Sequence, residues 1–439
     1  MLAMVWPAAP DPPVRTEVVA LRSRFEFLSF ARDLHVPSVV WGVRGQREPL
    51  PATLVFAGAD LKAQASLAHE LAHELIAWFM PLAPPWLNEG LATFLETLRY
   101  DRVSGKATLG EPSPRARIVA EPMPAAALLA AREPPTGREV EFEDRAWLLV
   151  HYLIDERLLA FERFQTELIR LRPPAEAWAA ALPELRPADL DVTLDGYRRS
   201  DRCHILRLPV QVSEAQISVR LMADGEVHAV RALLFETSMA PGVMPDHSAA
   251  QSEVAESLRV DSTNVEALAM RFFWFSNGPR PEERSALAAR ALAAHPDAWL
   301  AWFMQAASAG DETTRRTALA RAIAIGREQP ELLTALASVD ARAGRWDQVL
   351  DLATKASKIG DHRWSALELR MLALAHLGRC QEAEDLAIAV QALAPGNTGA
   401  QIQKAWGAVK GNCVQVAAHS GGPPSPASMR GAPPEAPRQ

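Results

Sequence analysis

A spacing of 34 residues recurs in the C-terminal part of the chain and strongly limits how that part can fold. Gly310, Gly344 and Gly378 are 34 residues apart, and Pro296 and Pro330 repeat the same interval. The sequence around them is rich in Ala and Leu. A unit of this length holds two helices, whose apolar faces are buried only when the next unit stacks on them. The spacing therefore predicts a row of helical pairs.

The two most similar copies follow Gly344 and Gly378. Each glycine is followed by Arg and then by a similar helical stretch, Gln348–Ala353 in one copy and Glu382–Ala387 in the other. This pattern resembles tetratricopeptide repeats. The resemblance implies an all-α solenoid of about four units over residues 250–412, with a concave groove that recruits a protein partner.

An HExxH motif, formed by His69, Glu70 and His73, lies inside an apolar helical pattern over residues 61–80. Residues four apart lie on one face of a helix, so His69 and His73 can both bind one zinc ion. Glu70 would stand beside that metal site. Its carboxylate can take a proton from an attacking water molecule and later pass it to a leaving amine. The motif therefore predicts a zinc site with a general base.

A third protein ligand is expected from the segment after the HExxH helix. Pro81, Pro84 and Pro85 prevent that helix from continuing, and a second helix is predicted to begin near Trp86. The proline-rich turn lets the second helix fold back against the first. Glu89, which the second helix carries, is the natural candidate for the third zinc ligand.

The HExxH motif and residues 86–92, Trp-Leu-Asn-Glu-Gly-Leu-Ala, together resemble gluzincin metallopeptidases. The similarity is to bacterial peptidase-MA-like proteins and, more distantly, to thermolysin and the zinc aminopeptidases. By this resemblance His69, His73 and Glu89 are zinc ligands and Glu70 is the catalytic base. In this family the metal domain is often followed by helical repeats, as the 34-residue period predicts here.

The resemblance covers residues 15–235 and implies an α+β, zincin-like fold. In it a small mixed sheet precedes the HExxH helix and further helices, and local patterns agree with this order. Strands are predicted over residues 16–22, 38–43 and 52–57, and a pair of strands over residues 204–221. Helices are predicted over residues 24–33, 61–80, from about 86, over 142–171, and onward to 199. Residues 101–140 are predicted to form a long irregular surface segment, with the wall of a substrate cleft as the alternative.

The same patterns give the domain boundaries. Residues 15–240 are predicted to form the zincin-like metallopeptidase domain, and residues 250–412 the tetratricopeptide-like repeats. Residues 1–14 are an N-terminal tail that is expected to be truncated or to follow a miscalled start. Residues 413–439 are rich in Gly, Pro, Ser and Ala and are predicted to be disordered.

Glu96 is a candidate for a supporting role at the metal site. It lies seven residues after Glu89, about two helical turns, so the two acids share one face. In related peptidases a carboxylate at this spacing supports a ligating histidine. We expect Glu96 to orient His69 or His73 through the distal ring N–H. The alternative is an ordinary acid on an exposed helix face.

One position departs from the gluzincin pattern. The family usually provides a Tyr or His that stabilises the oxyanion, and here Phe142 or Glu143 stands where the Tyr is expected. Loss of one oxyanion donor can lower the rate about 100- to 1,000-fold. His151 and Tyr152 lie in the interior of the predicted helix, where packing is the better interpretation. Tyr100 is a further candidate for the oxyanion donor.

Charge and composition exclude several classes of protein. The net charge is −7 and the chain has no large basic block, which argues against a nucleic-acid partner. No apolar run approaches the roughly 20 residues of a membrane-spanning helix. Cys203, Cys380 and Cys413 have neither zinc-site spacing nor the pattern of a disulfide framework, so we expect buried or incidental thiols.

The expected localisation depends on where the protein begins. The first ten residues are apolar but lack a charged start and a full apolar core, so they make a poor signal peptide. As the sequence stands, a cytoplasmic protein is expected. An exported or periplasmic protein is expected if the true start, with its export signal, lies upstream.

Two functions are compatible with these features. The first is a zinc-dependent metallopeptidase that hydrolyses a peptide or protein, with Glu70 as the general base and the repeats recruiting a substrate or partner. The second is a catalytically weak or inactive zincin-fold scaffold whose repeats mediate protein–protein interaction. The altered tyrosine position favours the scaffold. The intact base Glu70 favours the peptidase, because a scaffold does not need it.

Overall fold

The structure is a computed structural model that describes the chain in segments. The described residues are 17–21, 23, 25, 28, 30, 41–43, 53–57, 61–80, 83–112, 122–170, 172–200, 204–209, 221–236, 244–274, 280–326, 329–357, 363–393 and 398–420. The expected N-terminal tail, residues 1–14, lies outside them, as does most of the helix predicted over residues 24–33.

The described part is largely helical with two small sheets, in agreement with the predicted α+β class. The first sheet holds β1 (Glu17–Leu21), β2 (Trp41–Val43) and β3 (Thr53–Ala57), in the order β1-β3-β2. β1 is parallel to β3, and β2 is antiparallel to it. The predicted small mixed sheet and its three strands are therefore confirmed.

Two helices that carry the sequence motifs follow this sheet. They are α1 (Leu61–Phe79) and α2 (Pro85–Glu96), and they pack against each other. α2 opens with Pro85, whose missing N–H has no helical partner in a first turn in any case. The two predicted helices are confirmed, and Pro81, in the predicted turn between them, lies outside the described residues.

The segment after α2 is more regular than the sequence indicated. It forms a hairpin of β4 (Arg99–Asp101) and β5 (Lys106–Leu109), and it also contains the short helix α3 (Ala125–Ala130). The prediction of an irregular segment over residues 101–140 was therefore wrong for these elements. Strands of three or four residues are too short to give a clear alternating pattern.

A distant strand completes the second sheet. β6 (Leu206–Pro209) pairs antiparallel with β5, which gives the order β4-β5-β6. Of the pair of strands predicted over residues 204–221, the first is confirmed as β6, and the second falls on residues 210–220, which lie outside the described residues. Strand pairing across about 100 residues is decided by packing and leaves no local signal.

Four further helices build the core behind α2. They are α4 (Glu139–Glu156), α5 (Leu158–Ile169), α6 (Pro174–Ala181) and α7 (Leu190–Arg199). Their apolar faces form one buried cluster with those of α1 and α2. The helical pattern predicted over residues 142–171 is confirmed, with a break at Arg157 that divides it into two helices.

Helices α2 and α4 pack very closely at Gly90. A Cβ atom there would lie 2.6 Å from the Ala146 carbonyl oxygen and 2.6 Å from Val150 Cγ2. A side chain at this position would overlap α4, so only glycine allows the two helices to meet. Because Glu89 precedes Gly90, this contact also fixes where Glu89 stands.

Gly90→Val is expected to lower the free energy of unfolding by about 1–3 kcal/mol, because the new side chain forces α2 away from α4. Gly196→Ala in α7 is the matched control, since a Cβ there would meet no heavy atom within 4 Å. In a helix this second change should raise stability by about 0.5–1 kcal/mol. Urea unfolding followed by circular dichroism measures both. An unfolding midpoint of Gly90→Val equal to that of the wild type contradicts the close contact.

Ion pairs join α4 to α7. The Arg145 side chain is 1% exposed, and its guanidinium lies 2.6 Å from Asp191 and 2.8 Å from Asp195. Asp144, also 1% exposed, accepts a hydrogen bond from Arg198 at 2.7 Å. In the first set α4 carries the cation and α7 the anions, and in the second set the charges are exchanged. Only one rotation of α7 about its axis brings both sets together.

From residue 224 onward the described segments are helical. The helices are α8 (Asp224–Glu236), α9 (His247–Val260), α10 (Val265–Phe273), α11 (Pro281–Ala294), α12 (Trp299–Ser308), α13 (Glu312–Gly326), α14 (Pro330–Arg342), α15 (Trp346–Ala356), α16 (Arg363–His376), α17 (Cys380–Leu393) and α18 (Thr398–Ser420). Every second helix of this row begins at a similar interval: α9, α11, α13, α15 and α17 start 34, 31, 34 and 34 residues apart. The predicted row of helical pairs is confirmed, with one shorter interval.

The repeated glycines Gly344 and Gly378 close the same kind of turn. Their φ angles are 72° and 74°, a left-handed conformation that glycine adopts without strain. In each case the amide of the next residue, Arg345 or Arg379, donates to a carbonyl five residues earlier, at 3.0 Å and 2.9 Å. This hydrogen bond ends a helix and turns the chain into the next one.

Helix α8 was not predicted from the sequence. It packs along α9, so this helical pair spans the predicted boundary between residues 240 and 250. Phe30 lies in the same buried cluster as Leu233 and Val254 of the pair. The N-terminal part of the chain therefore shares an apolar core with the first helices of the C-terminal part.

A second contact joins the two parts of the chain. The buried cluster of α1, α2 and α4–α7 also includes Leu333, Ala356 and Ala366 of the repeats. The repeats therefore pack partly against the N-terminal part. None of the described helices has the length and apolar character needed to span a membrane.

The C-terminal end differs from the expectation in two respects. Cys380, at the start of α17, is disulfide-bonded, which corrects the expectation of three unpaired thiols. Helix α18 extends to Ser420, into the segment 413–439 that was predicted to be disordered. Residues 421–439 lie outside the described residues.

Candidate metal centre

Three electron-pair donors from α1 and α2 converge on one point. His69 Nε2 lies 3.1 Å from His73 Nε2, and Glu89 Oε2 lies 3.8 Å and 3.6 Å from these two nitrogens. The three side chains are 13–20% exposed. The HExxH spacing puts both histidines on one face of α1, and the turn before α2 brings Glu89 opposite them.

The distances between these atoms suit a zinc ion. Tetrahedral zinc with bonds of about 2.0–2.2 Å needs donor atoms about 3.3–3.6 Å apart. Imidazole nitrogen and carboxylate oxygen are ligand types that zinc binds in proteins. Within the described part of the chain, His69, His73 and Glu89 are the one group of such side chains close enough together to hold a metal ion.

Asn88 fixes the orientation of His73. The distance from His73 Nδ1 to Asn88 Oδ1 is 3.2 Å. The amide oxygen can only accept, so Nδ1 carries the proton and the lone pair of Nε2 faces the convergence point. The sequence pattern gave Asn88 no role, because a hydrogen bond between two helices depends on how they pack. The signal that was present was its position beside Glu89 in the motif.

Glu96 stands in the same relation to His69. Its Oε2 lies 3.3 Å from His69 Nδ1, and the carboxylate side chain is 19% exposed. Of the two histidines that the spacing allowed, the structure brings Glu96 to His69. A proton held on Nδ1 by this carboxylate leaves the lone pair of His69 Nε2 for a metal ion.

The protonation of these imidazoles favours a cation between them. With Asn88 Oδ1 accepting from Nδ1–H of His73 and the Glu96 carboxylate 3.3 Å from Nδ1 of His69, two nitrogen lone pairs and the Glu89 carboxylate face each other. Three such donors repel one another unless a positive charge lies between them. The donor set therefore fits a bound zinc ion, with His69, His73 and Glu89 as the residues that would hold it.

The pKa values point the same way. Burial lowers the pKa of His69, but the hydrogen bond to Glu96 and the charges of Glu89, Glu70 and Glu96 outweigh it and raise that pKa. Burial raises the pKa of Glu89, although His69 opposes this. Both shifts favour an added positive charge, which without metal is a proton.

Glu70 occupies the position expected of the base. It follows His69 directly on α1 and is half-buried. Its negative charge contributes to the raised pKa of His69, so it lies within electrostatic reach of that ligand candidate. It is not one of the three side chains whose donor atoms converge.

The candidates for an oxyanion donor on α4 are engaged elsewhere. His151 is 1% exposed and both of its ring nitrogens are in hydrogen bonds. Tyr152 is 6% exposed and its ring packs against Tyr197. Phe142 is fully buried, which agrees with a packing role for this face of α4. Tyr100 lies on β4 and is 42% exposed.

Asn88→Ala is expected to weaken zinc binding about 10- to 100-fold. The His73 imidazole then loses the acceptor of its Nδ1–H, so zinc binding must also fix the orientation of the ring. Asn88→Asp is the matched control, since its carboxylate still accepts from Nδ1, and its affinity should stay near that of the wild type. Competition with a fluorescent zinc chelator measures all three dissociation constants. Equal affinity in Asn88→Ala and wild type contradicts this role of Asn88.

We compared the chain with protein-family models, with curated proteins and with solved structures, and none of the three comparisons gave a match.

Proposed function

We propose that this protein is a zinc-dependent metallopeptidase whose N-terminal part has a zincin-like fold, as the gluzincin resemblance implies. The observation that carries the proposal is the convergence of His69 Nε2, His73 Nε2 and Glu89 Oε2 within 3.1–3.8 Å. A zinc ion bound there would polarise the carbonyl group of a peptide and stabilise the negative charge that develops on its oxygen.

Glu70 is the proposed general base. Its carboxylate accepts a proton from the attacking water, and the remaining hydroxide forms the new bond to the carbonyl carbon. The same carboxylic acid then donates the proton to the nitrogen as the carbon–nitrogen bond breaks. Asn88 accepts from the Nδ1–H of His73, and the negative charge of Glu96 lies 3.3 Å from Nδ1 of His69, so each imidazole keeps one orientation throughout.

The proposed substrate is a peptide or protein, and the repeats are proposed to recruit it or a protein partner. Repeats of this kind present extended surfaces for such recruitment. Part of that surface is already used, because Leu333, Ala356 and Ala366 are buried against the N-terminal part. The surface proposed for recruitment is the part that this contact leaves free.

A zinc-binding scaffold without peptidase activity is the second candidate. The observation in its favour is that His151 and Tyr152 are both buried and engaged in other contacts. Both nitrogens of His151 are already in hydrogen bonds, and Tyr152 is 6% exposed, so neither side chain is presented to a substrate. Removal of one oxyanion donor lowers a rate by about 100- to 1,000-fold, so this feature favours a weak enzyme or none.

Metal analysis and a cleavage screen test the proposal together. Purified wild-type protein should contain one zinc ion per chain, and a broad peptide library should contain sequences that it cuts. A wild-type protein without zinc overturns both the peptidase and the zinc scaffold. Bound zinc with no cleavage of any peptide overturns the peptidase and leaves the scaffold.

A further inference from the structure

A chain of hydrogen bonds, called the line below, runs from the exposed His204 side chain through the buried core to the Gly110 carbonyl oxygen. His204, 68% exposed, has Nδ1 2.9 Å from Asp155 Oδ2, and the same carboxylate oxygen lies 2.6 Å from the Tyr197 hydroxyl. That hydroxyl is 2.8 Å from His151 Nδ1, and His151 Nε2 is 3.1 Å from the Gly110 carbonyl oxygen. Apart from His204, the titratable side chains in this line are largely buried.

The line continues from Gly110 to the metal centre. The Gly110 N–H donates to Thr97 Oγ1 at 2.8 Å, and Thr97 is the residue that ends α2. The preceding residue is Glu96, whose carboxylate contacts His69. Gly110 has a φ angle of 87°, and a Cβ there would come within 2.9 Å of His151 Nε2. The contact between His151 and this glycine is therefore direct.

The hydrogen bonds in this line need one more proton than neutral His151 and ionised Asp155 can supply. The Gly110 carbonyl oxygen only accepts, so His151 Nε2 must carry a proton. Two contacts remain, from His151 Nδ1 to the Tyr197 oxygen and from that oxygen to Asp155. Tyr197 has one hydroxyl proton and can serve one of them. The other proton belongs to His151 Nδ1 or to Asp155.

The hydrogen-bond geometry assigns that proton. Burial raises the pKa of Asp155, but hydrogen bonds from Tyr197 and His204 outweigh it and lower that pKa. Burial lowers the pKa of His151 and outweighs Asp155 and the Gly110 carbonyl, which act in the opposite direction. The hydrogen-bond count opposes this shift of His151: with Asp155 ionised and the Tyr197 hydroxyl donating to it, the remaining proton belongs to His151 Nδ1.

We propose that His151 is a positioning residue that acts as an imidazolium, fixing Gly110 and Thr97 and thereby holding Glu96 against His69. The inference rests on the proposed zinc site, because its effect is exerted on a zinc ligand. In that form both ring nitrogens donate, Nδ1 to the Tyr197 oxygen and Nε2 to the Gly110 carbonyl, and hydrogen bonds that involve charged groups are the stronger kind. His204 connects the line to solvent.

Tyr197→Phe tests the line without removing a side chain from the core. It deletes the hydroxyl that joins His151 to Asp155, and zinc should bind about 3- to 10-fold more weakly, a smaller effect than for a direct partner of a ligand. Tyr152→Phe is the control, because Tyr152 packs against Tyr197 but lies outside the line. Chelator competition on the full-length protein gives the dissociation constants.

Thr97 provides a second test, in which one substitution should weaken zinc binding and a second should restore it. Thr97→Val keeps the shape but removes the acceptor for the Gly110 N–H, and it should weaken zinc binding to a similar degree. Thr97→Ser keeps the hydroxyl and should restore wild-type affinity. A purely structural role of Thr97 would instead make Val, with its matching shape, the better replacement.

Nitrogen NMR of labelled protein near neutral pH reads the charge of His151 directly. Both ring nitrogens should carry protons in the wild type, and only one should do so in Tyr197→Phe. A single protonated nitrogen in the wild type overturns the imidazolium. Unchanged zinc affinity in Tyr197→Phe and Thr97→Val overturns the positioning role alone. A wild type that binds no zinc overturns the proposed function, and the positioning role with it.

Discussion

Glu70→Gln is expected to lower kcat for peptide cleavage about 100- to 10,000-fold while zinc stays bound. The amide of Gln has nearly the size of the carboxylate but cannot take a proton from water at neutral pH. The three converging donor atoms belong to His69, His73 and Glu89, so the metal site is left intact. The measurement is kcat on the best peptide from the library screen, together with zinc content by mass spectrometry.

The matched control for this change is Glu266→Gln, an exposed acid on α10. It should leave both kcat and zinc content unchanged. If Glu70→Gln cuts the peptide as fast as the wild type, Glu70 is not the base. If it loses zinc as well as activity, Glu70 contributes to metal binding, and the loss of activity then says nothing about proton transfer.

His73→Ala is expected to weaken zinc binding by roughly 100- to 1,000-fold, because one of three protein ligands is lost. Protein dialysed against a trace of free zinc should then contain almost none, whereas the wild type keeps one ion per chain. His376→Ala, an exposed histidine of α16, is the control and should keep its zinc. Zinc content that is equal in His73→Ala and wild type would falsify the assignment of His73 as a ligand.

These two variants also separate the peptidase from the scaffold. A peptidase loses activity in both variants and loses zinc in only one of them. A zinc-binding scaffold has no activity to lose, and only His73→Ala changes a measurable property. Unfolding curves of both variants in the presence of chelator show whether either change disturbs the fold independently of metal.

Much of the fold near the metal centre could be predicted from local sequence. Residues four apart share a helix face, so the HExxH motif places His69 beside His73 wherever α1 packs. The prolines before Trp86 end α1, and a periodic apolar pattern begins α2. Glu96 shares a face with Glu89 for the same geometric reason. The 34-residue spacing likewise predicts helical pairs, since each unit must bury its face on the next.

The parts that were missed depend on contacts between distant elements. The pairing of β5 with β6 joins residues about 100 apart, and each strand has only four residues. Helix α8 lies in a stretch for which the sequence predicted no helix, and its partner α9 lies beyond the predicted domain boundary. The spacing of apolar residues within one element does not show which other element its apolar face packs against, because more than one arrangement of the elements buries that face.

The sequence by itself identified the candidate zinc ligands and the candidate base, because His69, Glu70 and His73 belong to one helix and Glu89 follows after a turn that prolines impose. Only the tertiary structure decided what surrounds them. Asn88 meets His73, and Glu96 meets His69, because α2 lies against α1 in one particular rotation. That rotation is fixed by the close contact of Gly90 with α4. Such a contact depends on the packing of two helices and cannot be read from the spacing of residues along the chain.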